Sequence, residues 1–322
     1  MLACRNGRRD TLTIEGARVV DPVAGIDAAL DVTISDGIVT ALSPAAEAAH
    51  GLVLAPAFVD PHVHLRTPGR EDEETVASGT AAAAAGGYCA ILAMPNTDPV
   101  VDSAAVLGAL LETAREEAAV PTGFLAAISK GQRGEELTEM AELAAAGAAG
   151  FTDDGRPVAS SGLMRRALQY SVVADRPLAL HEEDPALSRD GQMHEGTVSA
   201  ELGLAGWPSV AESVMVERDL ALAAFEERPL HVMHVSARES VEALRAARAR
   251  GVAVTAEATP HHLVLTHEAV RTLDPNVKMN PPLRAESDRE ALVDALRDGT
   301  ICCVATDHAP HARHEKEAPF EE

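Results

Sequence analysis

Eight short apolar segments, separated by alanine-rich stretches of helical character, constrain the fold of this 322-residue chain more than any other feature. The segments lie at 58–65, 88–96, 122–129, 149–154, 177–183, 229–236, 252–259 and 301–308. Helices are expected at 74–86, 103–118, 135–147, 161–175, 210–227, 238–250 and 286–298. Strands that alternate with helices in this way predict an α/β fold, a (β/α)8 TIM-like barrel with its site at the C-terminal ends of the strands.

A doubly wound open sheet would give the same alternation, and strand counting alone does not separate the two folds. No glycine-rich phosphate-binding fingerprint follows any of the segments, which disfavours the open sheet. Residues 11–55 have a different pattern, with alternating strands and turns at Glu15-Gly16 and Asp36-Gly37. They predict a small β module before the barrel, and residues 1–10 are expected to be a disordered leader.

The composition limits which binding partners and which cellular location are expected. Hydrophobic residues make up 46% of the chain and the net charge is −23, so nucleic acid and anionic membranes are not expected partners. An anionic substrate stays possible, because one buried arginine can override the global field. No apolar run is long enough to span a bilayer, and no signal peptide is expected. The four cysteines are expected to be reduced thiols of a cytoplasmic protein, with Cys302 and Cys303 on a buried strand.

Histidine and aspartate recur at one end of the predicted strands. They are His62, His64, Asp153, Asp154, His181, His234 and Asp307. In a barrel, side chains at the C-terminal strand ends converge above the core. The sequence therefore predicts that these residues share one site.

The pair His62 and His64 is two residues apart on a strand, so both side chains are expected on one face, where they can bind one divalent ion. Such a pair alone is weak evidence, because paired histidines also occur as packed or solvated residues. Arg66 follows after another two-residue step and makes the pattern more specific. His181 and His234 could each be an ordinary core histidine, but the four imidazoles together could hold two ions if a carboxylate bridges them.

The bridging carboxylate is expected from Asp153 or Asp154, although an Asp-Asp-Gly sequence is also typical of a turn or helix cap. Asp307 is a candidate proton acceptor for an activated water. His231, three residues before His234, is expected to face the helix layer, and Met94 and Met279 are expected in the core. His261 and His262 are interpreted as structural or as supporting the site from behind.

These motifs resemble those of class I bacterial dihydroorotases in the amidohydrolase superfamily. The motifs are VDPHVHLR (59–66), MPNT (94–97), GFTDDG (150–155), ALHEED (179–184), HVS (234–236), TPHHL (259–263), NPPLR (280–284) and TDHAPH (306–311). The resemblance extends from Asp60 to His311. It implies a metal-dependent amidohydrolase barrel at 56–322 and a small β-sandwich domain whose N-terminal part is 1–55. Chains of the family normally continue past this point, which would add further sandwich strands and a last barrel helix.

The resemblance also implies residue roles. Metal ligands would be His62, His64, Asp154, His181, His234 and Asp307, with Asp154 preferred over Asp153 as the bridge and Asp307 as the catalytic acid–base. Substrate contacts would be His64, Arg66, Asn96, Asn280 and His311, although both asparagines could merely form turns. The implied cofactor is zinc, one or two ions per subunit. The implied reaction is the reversible cyclisation of N-carbamoyl-L-aspartate to L-dihydroorotate and water in pyrimidine synthesis.

Three alternatives stay open from the sequence. Dihydropyrimidinases and allantoinases normally bridge their metals with a carboxylated lysine, and no lysine lies near the fourth segment. A non-catalytic subunit that scaffolds aspartate carbamoyltransferase would have lost metal ligands, whereas every ligand position here is filled. A structural zinc protein would more often use cysteine ligands. The family also implies a homodimer that could assemble with aspartate carbamoyltransferase.

Overall fold

The computed structural model describes residues 1–5, 11–48 and 51–321. Its eight barrel positions follow the eight predicted segments. The named barrel strands are β5 (Phe58–Val63), β6 (Tyr88–Ala93), β7 (Thr122–Phe124), β8 (Ala179–Leu180), β11 (Leu230–Val232), β12 (Val254–Ala258) and β13 (Cys303–Val304). All neighbouring pairs among them are parallel, in the orders β5-β6-β7 and β8-β11-β12-β13.

The fourth barrel position is a single bridged residue, Phe151, rather than an extended strand. Phe151 forms parallel bridges to Ala126 on one side and to Leu178 on the other. A further parallel bridge from Val63 to His308 joins the last position to the first. These bridges close the ring, so the barrel prediction is confirmed and the open sheet is excluded.

The predicted helices are confirmed to within two residues at each end, except that the helix expected at 135–147 begins five residues later, at Met140. They are α1 (Val76–Ala85), α2 (Ala104–Glu117), α3 (Met140–Ala146), α4 (Ser161–Ala174), α7 (Val210–Glu226), α8 (Arg238–Ala249) and α10 (Glu286–Asp298). Local sequence sets their ends. Thr75 and Ser78 form a capping box at the start of α1. Helix α10 is followed by Gly299, whose φ of +79° suits glycine because it has no Cβ.

Further short elements lie between β8 and β11 and after β12. They are α5 (Pro185–Ser188), β9 (Met193–His194), α6 (Thr197–Leu202), β10 (Gly206–Trp207) and α9 (Pro260–Val264). Short stretches of 3-10 helix occur at Lys130–Gln132, His267–Thr272, Pro275–Val277 and Glu315–Glu317. Among the described residues, no helix is both long enough and apolar enough to cross a membrane.

The N-terminal module is a four-stranded sheet in the order β3-β2-β1-β4. Its strands are β1 (Leu12–Asp21), β2 (Ile26–Ser35), β3 (Ile38–Pro44) and β4 (Val53–Leu54). The antiparallel pairs β1–β2 and β2–β3 are joined by short turns, at 22–25 and at Asp36-Gly37. The turn at Asp36-Gly37 is confirmed, but the one expected at Glu15-Gly16 is wrong, because these residues lie within β1 where its register shifts between Ile14 and Ala17. The β3 side chains Ile38, Val39 and Leu42 are exposed.

The expectation of a disordered leader is wrong for residues 1–5, while residues 6–10 lie outside the described part. Ala3 is buried and forms an antiparallel bridge with Thr122 on β7, with two 2.8 Å hydrogen bonds between their backbones. Arg5 N donates to Ala118 O. The free edge of a short strand can accept such pairing. This pairing was not predicted, because the charged residues of the N-terminal segment indicated disorder.

Two smaller expectations about packing are also corrected. Cys302, just before β13, is exposed and Cys303 on β13 is half-buried, so the two cysteines do not lie on a buried strand. All four cysteines are free thiols. Met94 is in the core, whereas Met279 is only half-buried and lines a cavity.

Candidate active site

Six side chains converge above the C-terminal ends of the barrel strands. His62 lies near the end of β5 and His64 just after it, while the other four follow the strand or bridge at positions four, five, six and eight. They are His62, His64, Asp154, His181, His234 and Asp307. The imidazole centroids of His62 and His234 are 5.3 Å apart, and those of His181 and His234 are 4.7 Å apart. The predicted convergence is therefore present.

Asp154 lies at the centre of this group and faces histidines on both sides. Its Oδ1 lies 3.6 Å from His181 Nδ1 and 3.5 Å from His234 Nε2. Its Oδ2 lies 3.4 Å from His64 Nε2. Its Oδ1 also lies 3.7 Å from His62 Nε2, so this one carboxylate lies close to all four histidines, as a carboxylate between two cations would.

Asp153 faces away from the histidines. Its carboxylate accepts hydrogen bonds from the backbone N–H of Ile128 and Ser129 and from the Ser129 hydroxyl. Burial raises the pKa of Asp153 to about 6 despite these donors. The two adjacent aspartates therefore have different environments, and Asp154 is the one that reaches the cluster.

His62, His64 and Asp307 form one group of donor atoms, and His62, Asp154 and His234 form a second. Within each group the donor atoms lie within 4.8 Å of one another. His62 Nε2 is fully buried without a hydrogen-bond partner, 3.4 Å from Asp307 Oδ1 and 3.7 Å from Asp154 Oδ1. A buried nitrogen aimed between two carboxylates fits a metal ligand.

The electrostatics of the cluster are those of closely packed opposite charges. Burial disfavours the charged form of His62, yet the carboxylates around it raise its pKa well above the usual range. The same balance raises the pKa of His181 to about 9. Burial alone would raise the pKa values of Asp154 and Asp307, but the histidines lower both. The acids are therefore held as carboxylates, the form that binds cations.

The outer nitrogens of the site histidines are held by groups that the sequence did not single out for this purpose. Glu257 Oε1 lies 2.7 Å from His62 Nδ1, and Glu183 Oε2 lies 2.9 Å from His181 Nε2. Asn96 Oδ1 lies 2.9 Å from His64 Nδ1. Such contacts fix the ring orientation and tautomer of metal-binding histidines.

His231 does not face the helix layer, contrary to expectation. Its Nε2 lies 3.0 Å from Glu257 Oε2 and its Nδ1 lies 2.8 Å from Thr255 Oγ1, so the ring contacts the neighbouring strand β12 on the side of His62. The prediction counted residues back from His234 as though the strand continued. The strand ends at Val232, and His234 has a φ of +32°, which reverses the alternation.

A cavity of about 370 Å³ opens above the cluster and is lined by the predicted substrate contacts Arg66, Asn96, Asn280 and His311. Arg66 lies beyond the end of β5 in left-handed backbone, so it reaches the cavity from a loop and not by strand alternation. Its Nε donates to Pro310 O and lies 3.1 Å from Glu73 Oε2. These contacts hold the guanidinium in place.

The two asparagines and His311 also have protein partners. Asn96 Nδ2 donates to Asp154 Oδ2 at 3.3 Å, and Asn280 Nδ2 donates to Glu183 Oε2 at 3.4 Å. His311 Nδ1 lies 3.2 Å from Glu315 Oε2. The cavity is also lined by His261, Lys278 and Lys316, of which the two lysines were missed because isolated loop lysines carry no sequence signal.

Comparison with known proteins assigns the chain to a family. A family model described as "Dihydro-orotase-like" matches residues 51–240. A dihydroorotase of Geobacter sp. (strain M21) is 48% identical over 318 residues, covering 96% of this chain and 75% of the relative. A dihydroorotase of Syntrophobacter fumaroxidans is 49% identical over 317 residues, covering 95% and 72%. The chain belongs to the dihydroorotase family.

The fold of this dihydroorotase-family chain is shared with other amidohydrolases. The L-hydantoinase (dihydropyrimidinase) of Arthrobacter aurescens superposes with a TM-score of 0.79 at 23% identity, covering 95% of this chain and 70% of that one. The family function is that of a cyclic amidohydrolase that interconverts N-carbamoyl-L-aspartate and L-dihydroorotate in pyrimidine synthesis. It depends on metal, and the clustered histidines and aspartates supply suitable ligands.

Proposed function

We propose that the cluster holds two zinc ions, with His62, His64 and Asp307 on one side, His181 and His234 on the other, and Asp154 between them. The observation that carries this proposal is the placement of Asp154, whose two oxygens face different histidines. Nitrogen and oxygen donors suit zinc, and an open coordination position suits a catalytic rather than a structural ion.

Charge balance supports two ions rather than one. Four buried or nearly buried carboxylates contact the four histidines, namely Asp154, Asp307, Glu183 and Glu257. Two divalent cations would neutralise these four negative charges while the histidines stay neutral. Buried charges without such compensation would be costly.

The protein residues have distinct proposed roles in the reaction. Zinc held by these residues would supply Lewis acidity to activate water and to polarise the amide carbonyl of the ring. Asp307 accepts the proton of the attacking water and returns it to the departing ring nitrogen; the reverse transfers serve ring closure. Arg66 binds the substrate carboxylate through its Nη atoms, with Asn96, Asn280 and His311 as further contacts and His64 beside them.

The wider organisation is also proposed. Within the predicted segment 1–55, residues 11–48 and 51–55 form part of a small β-sandwich domain, whereas residues 1–5 pair with the barrel strand β7; residues 56–321 form the amidohydrolase barrel. The protein is a cytoplasmic homodimer, in keeping with its four free thiols, and can assemble with aspartate carbamoyltransferase. Light scattering of the protein alone and mixed with that enzyme tests both associations.

The roles are tested by exchanging Asp307 for alanine and measuring zinc content and turnover together. We expect Asp307→Ala to lower kcat for L-dihydroorotate hydrolysis by at least about 100-fold, since general acid–base catalysis contributes on that order. Unchanged turnover would contradict the acid–base role.

The substrate is tested by assaying the wild-type protein with carbamoyl aspartate, hydantoin and allantoin. A preference for hydantoin would contradict the proposed substrate.

A further inference from the structure

Glu257 is a charged residue in the middle of a barrel, on strand β12. Its side chain is only 1% exposed, and both of its oxygens contact imidazoles. Oε1 lies 2.7 Å from His62 Nδ1, and Oε2 lies 3.0 Å from His231 Nε2. Oε1 also accepts a 3.3 Å hydrogen bond from His234 N–H. Glu257 thus contacts one histidine from each side of the site.

We propose that Glu257, held in place by His231, is the positioning residue that orients His62 toward the metal. This inference rests on the proposed metal centre. A carboxylate at Nδ1 fixes the proton on that nitrogen and leaves the Nε2 lone pair free. Nε2 is the atom that points between Asp154 and Asp307 without a hydrogen-bond partner.

His231 is needed because a buried carboxylate must have both oxygens satisfied. It donates to the Glu257 oxygen that His62 does not use, and its other nitrogen is fixed by Thr255 Oγ1 at 2.8 Å. The pairing of His231 with Thr255 in the β11–β12 ladder sets this geometry. Thr255, His231, Glu257 and His62 therefore form a continuous chain of contacts from the barrel strands to the metal position.

An alternative interpretation of His231 and Glu257 is that they belong to a separate metal site. His231, Glu257 and Cys303 offer three donor atoms within 4.8 Å of one another. Both Glu257 oxygens already have close imidazole partners, and burial raises the pKa of the Cys303 thiol, so the group favours a neutral thiol over a thiolate ligand. The positioning role is therefore the better supported of the two.

The test measures zinc affinity of the chelator-stripped full chain by competition with a chromogenic chelator, together with the Co²⁺ absorption spectrum. Glu257→Gln should weaken zinc binding about 10- to 100-fold, the range found when such supporting partners are removed. His231→Leu should weaken it by roughly 10-fold. His231→Gln, whose amide can replace the Nε2 donor, should stay within about threefold of wild type. The Co²⁺ spectrum should change in the first two variants only.

Two controls separate this role from general effects on folding. Glu182→Gln removes another buried carboxyl that directly follows a proposed ligand, and it should bind zinc like wild type. Cys303→Ser should also bind zinc like wild type; loss of one zinc equivalent in this variant would overturn the inference in favour of the separate site. If Glu257→Gln does not fold, the comparison of His231→Leu with His231→Gln tests the inference instead.

Wild-type zinc affinity in folded His231→Leu would overturn the inference and leave the metal centre intact. A wild-type protein that binds no zinc would instead overturn the proposed function on which the inference rests.

Discussion

The two adjacent aspartates in the motif GFTDDG have different roles. Asp153 stabilises the loop after β7 by accepting hydrogen bonds from Ile128 and Ser129, and Asp154 faces the histidines. The difference arises because consecutive side chains near a strand end point to opposite sides. A substitution at one position should therefore affect binding, and the same substitution at the other should affect stability.

We expect Asp154→Asn to lower metal affinity by more than about 100-fold, because loss of a direct ligand should exceed the loss caused by a supporting residue. Asp153→Asn should keep its bound metal but lower the free energy of unfolding by about 1–3 kcal/mol, through weaker buried hydrogen bonds. Elemental analysis and urea unfolding of the two variants measure these effects. Metal loss in Asp153→Asn with retention in Asp154→Asn would reverse the assignment.

The position of the site residues could be predicted from the sequence because strand ends in a barrel converge, whichever strands they follow. This reasoning placed His181 and His234 beside His62 and His64. It did not predict Glu257 or Glu183, since one glutamate in a strand or after a histidine has many possible partners. It was wrong for His231 because left-handed backbone at His234 changes the side-chain alternation.

At the level of elements, helices could be predicted because their sequences are periodic. Irregular segments could not, because they lack such a pattern. The bounds of α10 agree with the prediction at both ends, because a charged N-terminal turn and Gly299 mark them. Strand four lacks such a pattern, and only its bridges at Phe151 show that it completes the barrel. The short elements between Pro185 and Trp207 were not predicted, because pieces of two to six residues are too short for a periodic signal.

His194 on β9 gives this irregular segment a pH dependence. Burial, together with the nearby charges of Arg284 and His267, lowers the pKa of His194 to about 4. The unfolded chain takes up this proton near pH 6.5, whereas the folded chain does not until about pH 4. The stabilising contribution is therefore present above pH 6.5 and is lost as the pH falls toward 4.

We expect the wild-type Tm to fall more than that of His194→Gln when the pH is lowered from 7.5 to 5, by a difference of roughly 2–4 °C. The matched control is His314→Gln, which removes an exposed histidine and should keep the wild-type profile. Parallel profiles for wild type and His194→Gln would show that His194 remains able to bind a proton in the folded protein.

The whole molecule combines a strongly acidic chain with a site for an anionic substrate. The net charge is −23, yet the cavity is lined by Arg66, Lys278 and Lys316. The acidic side chains at the base of the cavity are those that contact the histidines, where metal would neutralise them. Local charge thus sets what the cavity binds, and the sequence composition predicted only the exclusion of polyanions such as nucleic acid.

The function of the whole chain depends on bound metal. Removal of metal with a chelator should abolish turnover and lower the Tm, because the buried carboxylates and histidines lose their compensating charge. The decisive measurement is L-dihydroorotate hydrolysis by stripped protein as zinc is added back in known amounts. We predict that activity returns and reaches its plateau at two equivalents per chain. Full activity of the stripped protein before any zinc is added would contradict a catalytic metal centre at the barrel rim.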